Sequence, residues 1–104
     1  MHARASTIQA SREKLGELER ILESYVLSEL EQSDGYSGIV GLTDPTTGKC
    51  LVISFWETDQ AMRASDERAS RLRTDAGQRL GATDDATVER YEVVLQEMRT
   101  PVHA

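Results

Sequence analysis

The 104 residues are 38% hydrophobic, about 40 apolar side chains, enough for one core and too few for two domains. Twelve Lys and Arg against 18 Asp and Glu leave a net charge of −6, and with five aromatics this argues against nucleic acid as a partner. No apolar run approaches the roughly 20 residues of a bilayer span and the start lacks a leader's apolar stretch, so the expectation is a cytoplasmic protein with no membrane partner. A single cysteine, Cys50, forms no internal disulfide, and two histidines, His2 and His103, near opposite ends give no zinc spacing, so no metal is expected.

Residues 2–9 are partly β-branched and precede Ser11, a helix N-cap candidate with Glu13 in the first turn; this predicts a first strand ending near Gln9. Leu15, Leu18, Ile21, Leu22, Tyr25, Val26 and Leu30 then recur at spacings of three and four, the mark of an amphipathic helix of about five turns. Ser33-Asp34-Gly35 should end it, because Gly supplies the left-handed conformation that closes a helix. A strand from Tyr36 to Thr43, a turn at Asp44-Pro45-Thr46-Thr47-Gly48 and a strand from Lys49 to Trp56 read as a hairpin. The second of these strands is apolar at nearly every position, so both of its faces should be covered.

Thr58 caps the next predicted helix, whose inward stripe of Ala61, Ser65, Ala69, Leu72 and Ala76 is made of mostly small residues. Its outward face pairs Asp59 with Arg63, Glu67 with Arg71 and Asp75 with Arg79, arginines read as a solvated surface. Residues 81–85 break the pattern, and a last strand is expected within Val88–Met98, giving one domain over 1–98 and a loose tail over 99–104.

The order β, α, β, β, α, β is that of a ferredoxin-like α+β fold: a four-stranded antiparallel sheet with two helices on one face. Leu51, Ile53 and Phe55 are placed under the helices, and Cys50, Val52, Ser54 and Trp56 on the open face. Leaving that second set wet would expose an apolar patch, so a homodimer joined through the open sheet faces is expected.

Asp34-Gly35-Tyr36 before the second strand, Phe55-Trp56-Glu57-Thr58 after the third and Ala61 in the following helix resemble the antibiotic-biosynthesis-monooxygenase group of dimeric α/β-barrel proteins. That group's pattern is Gly-Phe and Trp-Glu-Ser followed by Ala; this chain has Tyr for Phe and Thr for Ser, and the element order agrees over residues 2–98. The resemblance implies a dimer whose sheets enclose a pocket, in a group that includes cofactor-independent oxygenases of polyphenols, haem-degrading enzymes and isomerases of small lactones. The haem branch is similar within itself in an Asn on the first strand and a Trp and a His in the helix after Trp-Glu-Ser. This chain contains no Asn, and Ser65 and Asp75 stand where that Trp and His would fall, so haem degradation is not expected.

A cofactor-free oxygenase needs an apolar pocket, a means of deprotonating a phenolic substrate and donors for the resulting anion. Six residues are candidates for contact with a small apolar or aromatic molecule, and no catalytic residue is singled out. Trp56 offers a stacking surface or a core anchor. Tyr36 and Tyr91 offer hydroxyl donors or plain core rings. Arg4 offers a partner for an anion or an exposed edge charge, Ser54 a hydroxyl within an apolar strand, and Glu92 a base if it points inward. Cys50 reads as an inert buried thiol, having no cation on its own face. A noncatalytic small-molecule-binding or accessory dimer is the alternative to a monooxygenase.

Overall fold

In the computed structural model, which describes residues 1–99, four strands form one antiparallel sheet in the order β2-β3-β1-β4. They are β1 (His2–Gln9), β2 (Tyr36–Thr43), β3 (Lys49–Trp56) and β4 (Thr87–Glu92). A helical run over 15–30 (α1) joins β1 to β2, and two consecutive helices, α2 (Asp59–Ala64) and α3 (Asp66–Arg79), join β3 to β4. Both crossovers lie on the same side of the sheet, giving the ferredoxin-like α+β architecture expected. Of the tail expected over 99–104, residues 100–104 lie outside the described residues.

Strand parity is fixed by register. Arg4 stands opposite Ser54, Ser6 opposite Val52 and Ile8 opposite Cys50, and this set faces the helices. Ala5 opposite Ile53 and Thr7 opposite Leu51, with Val40 and Leu42 of β2 beside them, form the open face. The expected assignment of β3 is therefore reversed: Cys50, Val52, Ser54 and Trp56 lie under the helices, and Leu51, Ile53 and Phe55 on the open face. Because β3 is apolar on both faces, its own pattern does not choose between them; the polar groups of β1 do, since Arg4 finds its carboxylate on α3.

The core between sheet and helices joins Ile8, Cys50 and Trp56 to Leu15, Leu18, Ile21, Val26 and Leu30 of α1, with Met62, Leu72 and Ala76 from α2 and α3 and Leu80 just beyond. Helix α1 is not uniform. It opens with a 3₁₀ turn at Leu15–Glu17 and contains a π turn at Leu22–Val26 between short α segments. The buried residues explain the π turn: from Ile21 to Val26 the sequence steps by five, and a widened turn keeps both side chains on the sheet. Ser11 does not cap this helix; the helix begins at Leu15 with no side-chain cap, and only the Ser11 carbonyl serves, accepting from the Lys14 amide at 3.0 Å.

Thr58 does cap α2, its hydroxyl accepting from the Ala61 amide at 3.0 Å. The single helix expected after it is divided at Ser65, whose hydroxyl bonds back to the Met62 carbonyl at 2.7 Å. The corner that carries the Gly35 and Ala61 motifs is a packing device. Gly35 sits at φ +79°, and a Cβ there would lie 2.6 Å from the Ala61 Cβ, while its carbonyl accepts from the Glu57 amide at 2.8 Å. Strand β4 ends at Glu92, short of the expected Met98, and beyond it Val94 and Leu95 are 92% and 83% exposed.

Candidate functional site

The site grows from Arg4, a cation on an inner strand. Its side chain is 2% exposed, and burial pulls the guanidinium below its ordinary value while the hydrogen bond and charge of Asp66 pull it back. One terminal nitrogen, Nη2, donates to the Met62 carbonyl, to Ser65 Oγ at 2.9 Å and to Asp66 Oδ1 at 2.6 Å. The guanidinium also stands 5.5 Å from the centre of the Trp56 ring, within cation–π range. Among the described residues its buried Nε has no hydrogen-bond partner.

Asp66, at the start of α3, serves two cations, accepting from Arg4 on one oxygen and from Arg90 on the other at 2.8 Å. Burial acts to raise its pKa, but the bonds and charges of Arg4 and then Arg90 outweigh that and hold the carboxyl below its ordinary value. A third guanidinium, Arg73 on the next turns of α3, reaches Ser6 Oγ at 3.5 Å. It is lowered by burial first and by the charge of Arg4 next. Among the described residues Arg73 forms no ion pair.

Arg4 and Arg73, but not Asp66 or Arg90, border a cavity of about 50 Å³ between the sheet and helices α1 and α3. Its polar wall is Arg4, Ser6, Ser54 and Arg73; its apolar wall includes Leu18, Leu22, Val26 and Leu72. Leu22 and Val26 are the first and last residues of the π turn. Arg73 and Ile8 also line a wider outer cleft of about 410 Å³, bounded by Thr74 and Gln78 of α3 and by Asp84 and Asp85 in the loop before β4.

Of the six candidate contact residues, the structure brings together Arg4 and Ser54 in the cavity wall. Trp56, fully buried, stands behind them, donating its indole N–H to Ser54 Oγ at 2.9 Å. Tyr36 packs edge-on against Trp56 with ring centres 5.7 Å apart, outside the cavity. Tyr91 and Glu92 do not join them: Tyr91 is 52% exposed and bonds Glu89 at 2.7 Å, and Glu92 is exposed at the end of β4. Ser6 and Arg73 are the polar members that sequence reasoning missed. Arg73 falls at spacings of four and three from Ala69 and Ala76, on the buried stripe of α3, and that position was the available signal.

The Cys50 thiol lies apart from the cavity in the core, its pKa raised by burial against a smaller opposing hydrogen bond. Among the described residues no group of His, Cys, Asp and Glu is placed to hold a metal ion, and no helix is long and apolar enough to cross a membrane.

No protein-family model matches the sequence. Two curated relatives from Mycobacterium tuberculosis, the uncharacterized proteins Rv2558 and Rv2557, are each 33% identical, over 103 and 93 residues covering 99% and 89% of this chain. The chain spans only 43% and 41% of their lengths. Among solved structures, the haem-degrader MhuD of Mycobacterium tuberculosis, with two haems bound in its active site, is similar at TM-score 0.70 and 25% identity, covering 94% of this chain and all (100%) of that one. The Streptomyces coelicolor monooxygenase ActVA-Orf6, in complex with nanaomycin D, is similar at TM-score 0.70 and 16% identity, covering 95% and 92%. An antibiotic-biosynthesis-monooxygenase-like protein of Deinococcus radiodurans is similar at TM-score 0.68 and 22% identity, covering 97% and 100%. The chain thus has the ferredoxin-like fold of the antibiotic-biosynthesis-monooxygenase-like proteins.

Proposed function

We propose that this protein is a homodimeric binder of a small apolar or aromatic molecule, which it takes up between the helical layer and the sheet. The observation that carries this reading is the cavity lining: apolar side chains from four elements, β1, β3, α1 and α3, converge with four polar groups, the composition of a ligand site and not of a closed core. A cavity of about 50 Å³ is smaller than a metabolite, since ligand sites commonly measure about 300–1,000 Å³, so uptake requires α1 to shift outward from the sheet. The π turn supports such a shift because its hydrogen bonding is already irregular where Leu22 and Val26 meet the cavity.

A second reading, cofactor-independent oxygenation of the bound molecule, is favoured by one feature. Arg4 and Arg73 border the cavity, and cations there would stabilise a phenolate or enolate. The polar wall of arginines and serines includes no carboxylate or imidazole to take the proton, which is why binding is the preferred reading.

Titration with 2-naphthol and related neutral aromatics, followed by Trp56 fluorescence, tests the proposal. Saturable binding is expected, and Ala69→Leu, which adds volume to the cavity wall, should abolish it while leaving the circular dichroism spectrum intact. Absence of saturation for every compound at millimolar concentration overturns the reading. Oxygen consumption by the wild-type complex would raise the second reading above the first.

A further inference from the structure

Two guanidiniums, Arg4 and Arg73, line the cavity, and Asp66 and Arg90 stand behind Arg4. Asp66 is shared between Arg4 and Arg90, so the cluster of Arg4, Arg73 and Arg90 carries two positive charges beyond what Asp66 neutralises. Surplus charge at a surface is unremarkable, because water solvates it. Here Arg4 is buried and Arg73 half-buried, and both lie against an apolar wall where solvation is poor. Two further observations show donors short of acceptors: among the described residues Arg4 Nε is a buried donor with no partner, and Arg73 donates only to Ser6 Oγ, at a long 3.5 Å.

We infer that the molecule bound here is an amphipathic monocarboxylate, its carboxylate held by Arg73 with Ser6 beside it and its apolar tail running between Leu22, Val26 and Leu72. This rests on the ligand-binding reading above and names the ligand class. Arg73 is suited to hold the anion because it borders both the inner cavity and the outer cleft of about 410 Å³. A carboxylate at their junction keeps one face toward water while the tail is buried. Asp84 and Asp85 line the same cleft as Arg73 and repel further negative charge, which favours one carboxylate over a polyanion. The guanidinium fork matches a carboxylate with two parallel hydrogen bonds, where an alcohol of the same length accepts one weaker bond.

Calorimetric titration of the full chain with octanoate and with 1-octanol, both below their aggregation limits and at low ionic strength, tests the inference. Octanoate is expected to bind at least about tenfold tighter than octanol. Arg73→Gln should remove that preference by weakening octanoate alone, and Arg73→Lys should restore part of it. Equal affinity for acid and alcohol overturns the inference and leaves the ligand-binding reading standing. Failure of both to bind where 2-naphthol binds does the same, and failure of all three overturns both. A preference that survives in a folded Arg73→Gln overturns the assignment to Arg73. The wild-type comparison decides the ligand class even if that variant does not fold.

Discussion

Trp56 shows how one residue can look like a binding surface and act as a keystone. Its ring is wholly buried, touched by Tyr36 on one side and Arg4 on another, and its N–H is satisfied by Ser54. Trp56→Ala should therefore cost about 3–5 kcal/mol of folding stability, read from urea denaturation, with no direct effect on subunit association because the ring faces the helices. Asp66 yields a prediction about acid. Its folded pKa lies below the ordinary value of 3.8, so its stabilising contribution is complete above that value and is lost as pH falls through the depressed folded value. Urea midpoints measured between pH 7 and pH 2 should fall less steeply in Asp66→Asn than in wild type, with the two converging in strong acid. Arg4 was legible as a candidate because a cation among Ala and Ser on a short strand is conspicuous. Arg73 was not: it lies among alternating charges on a helix, and its contact with Ser6 spans 67 residues.

Among the elements, existence and order were readable, and boundaries and facing were not. The stripe from Leu15 to Leu30 announced α1, but the step of five between Ile21 and Val26 was masked by Leu22 and Tyr25, which fill the intervening positions of an ordinary helical pattern. The hairpin was explicit in Pro45 and Gly48. The facing of β3 was not, because alternation carries information only when one face is polar. The end of β4 was overextended for a similar reason: Val93, Val94 and Leu95 have strand propensity, but the ladder to β1 stops with Glu92 opposite His2, where β1 begins. The corner between α1 and β2 provides a test at this scale. Gly35→Ala combines a positive φ with a 2.6 Å approach to Ala61 and should destabilise by about 1–3 kcal/mol. Pairing it with Ala61→Gly should recover the steric part, a coupling readable in a double-mutant cycle.

For the whole molecule, the proposed dimer rests on the open sheet face. Leu51, Ile53, Phe55, Val40 and Leu42 line it, and burial of each large side chain is worth about 1.5–3 kcal/mol, ample for a dimer once the rigid-body cost is met. Ile53→Glu should shift sedimentation at micromolar concentration from dimer to monomer while the helix-side core, and Trp56 emission with it, stays native. A wild-type chain that sediments as a single subunit would remove the dimer from the proposal. A last consequence comes from Cys50, the only cysteine in the chain and 1% exposed. Sealed between β3 and the helices, this sulfur is protected from alkylating reagents in the native state and becomes reactive when the layers separate. The native protein thus contains its own clock: the rate of iodoacetamide uptake in the absence of denaturant would measure how often the fold opens, without any added probe.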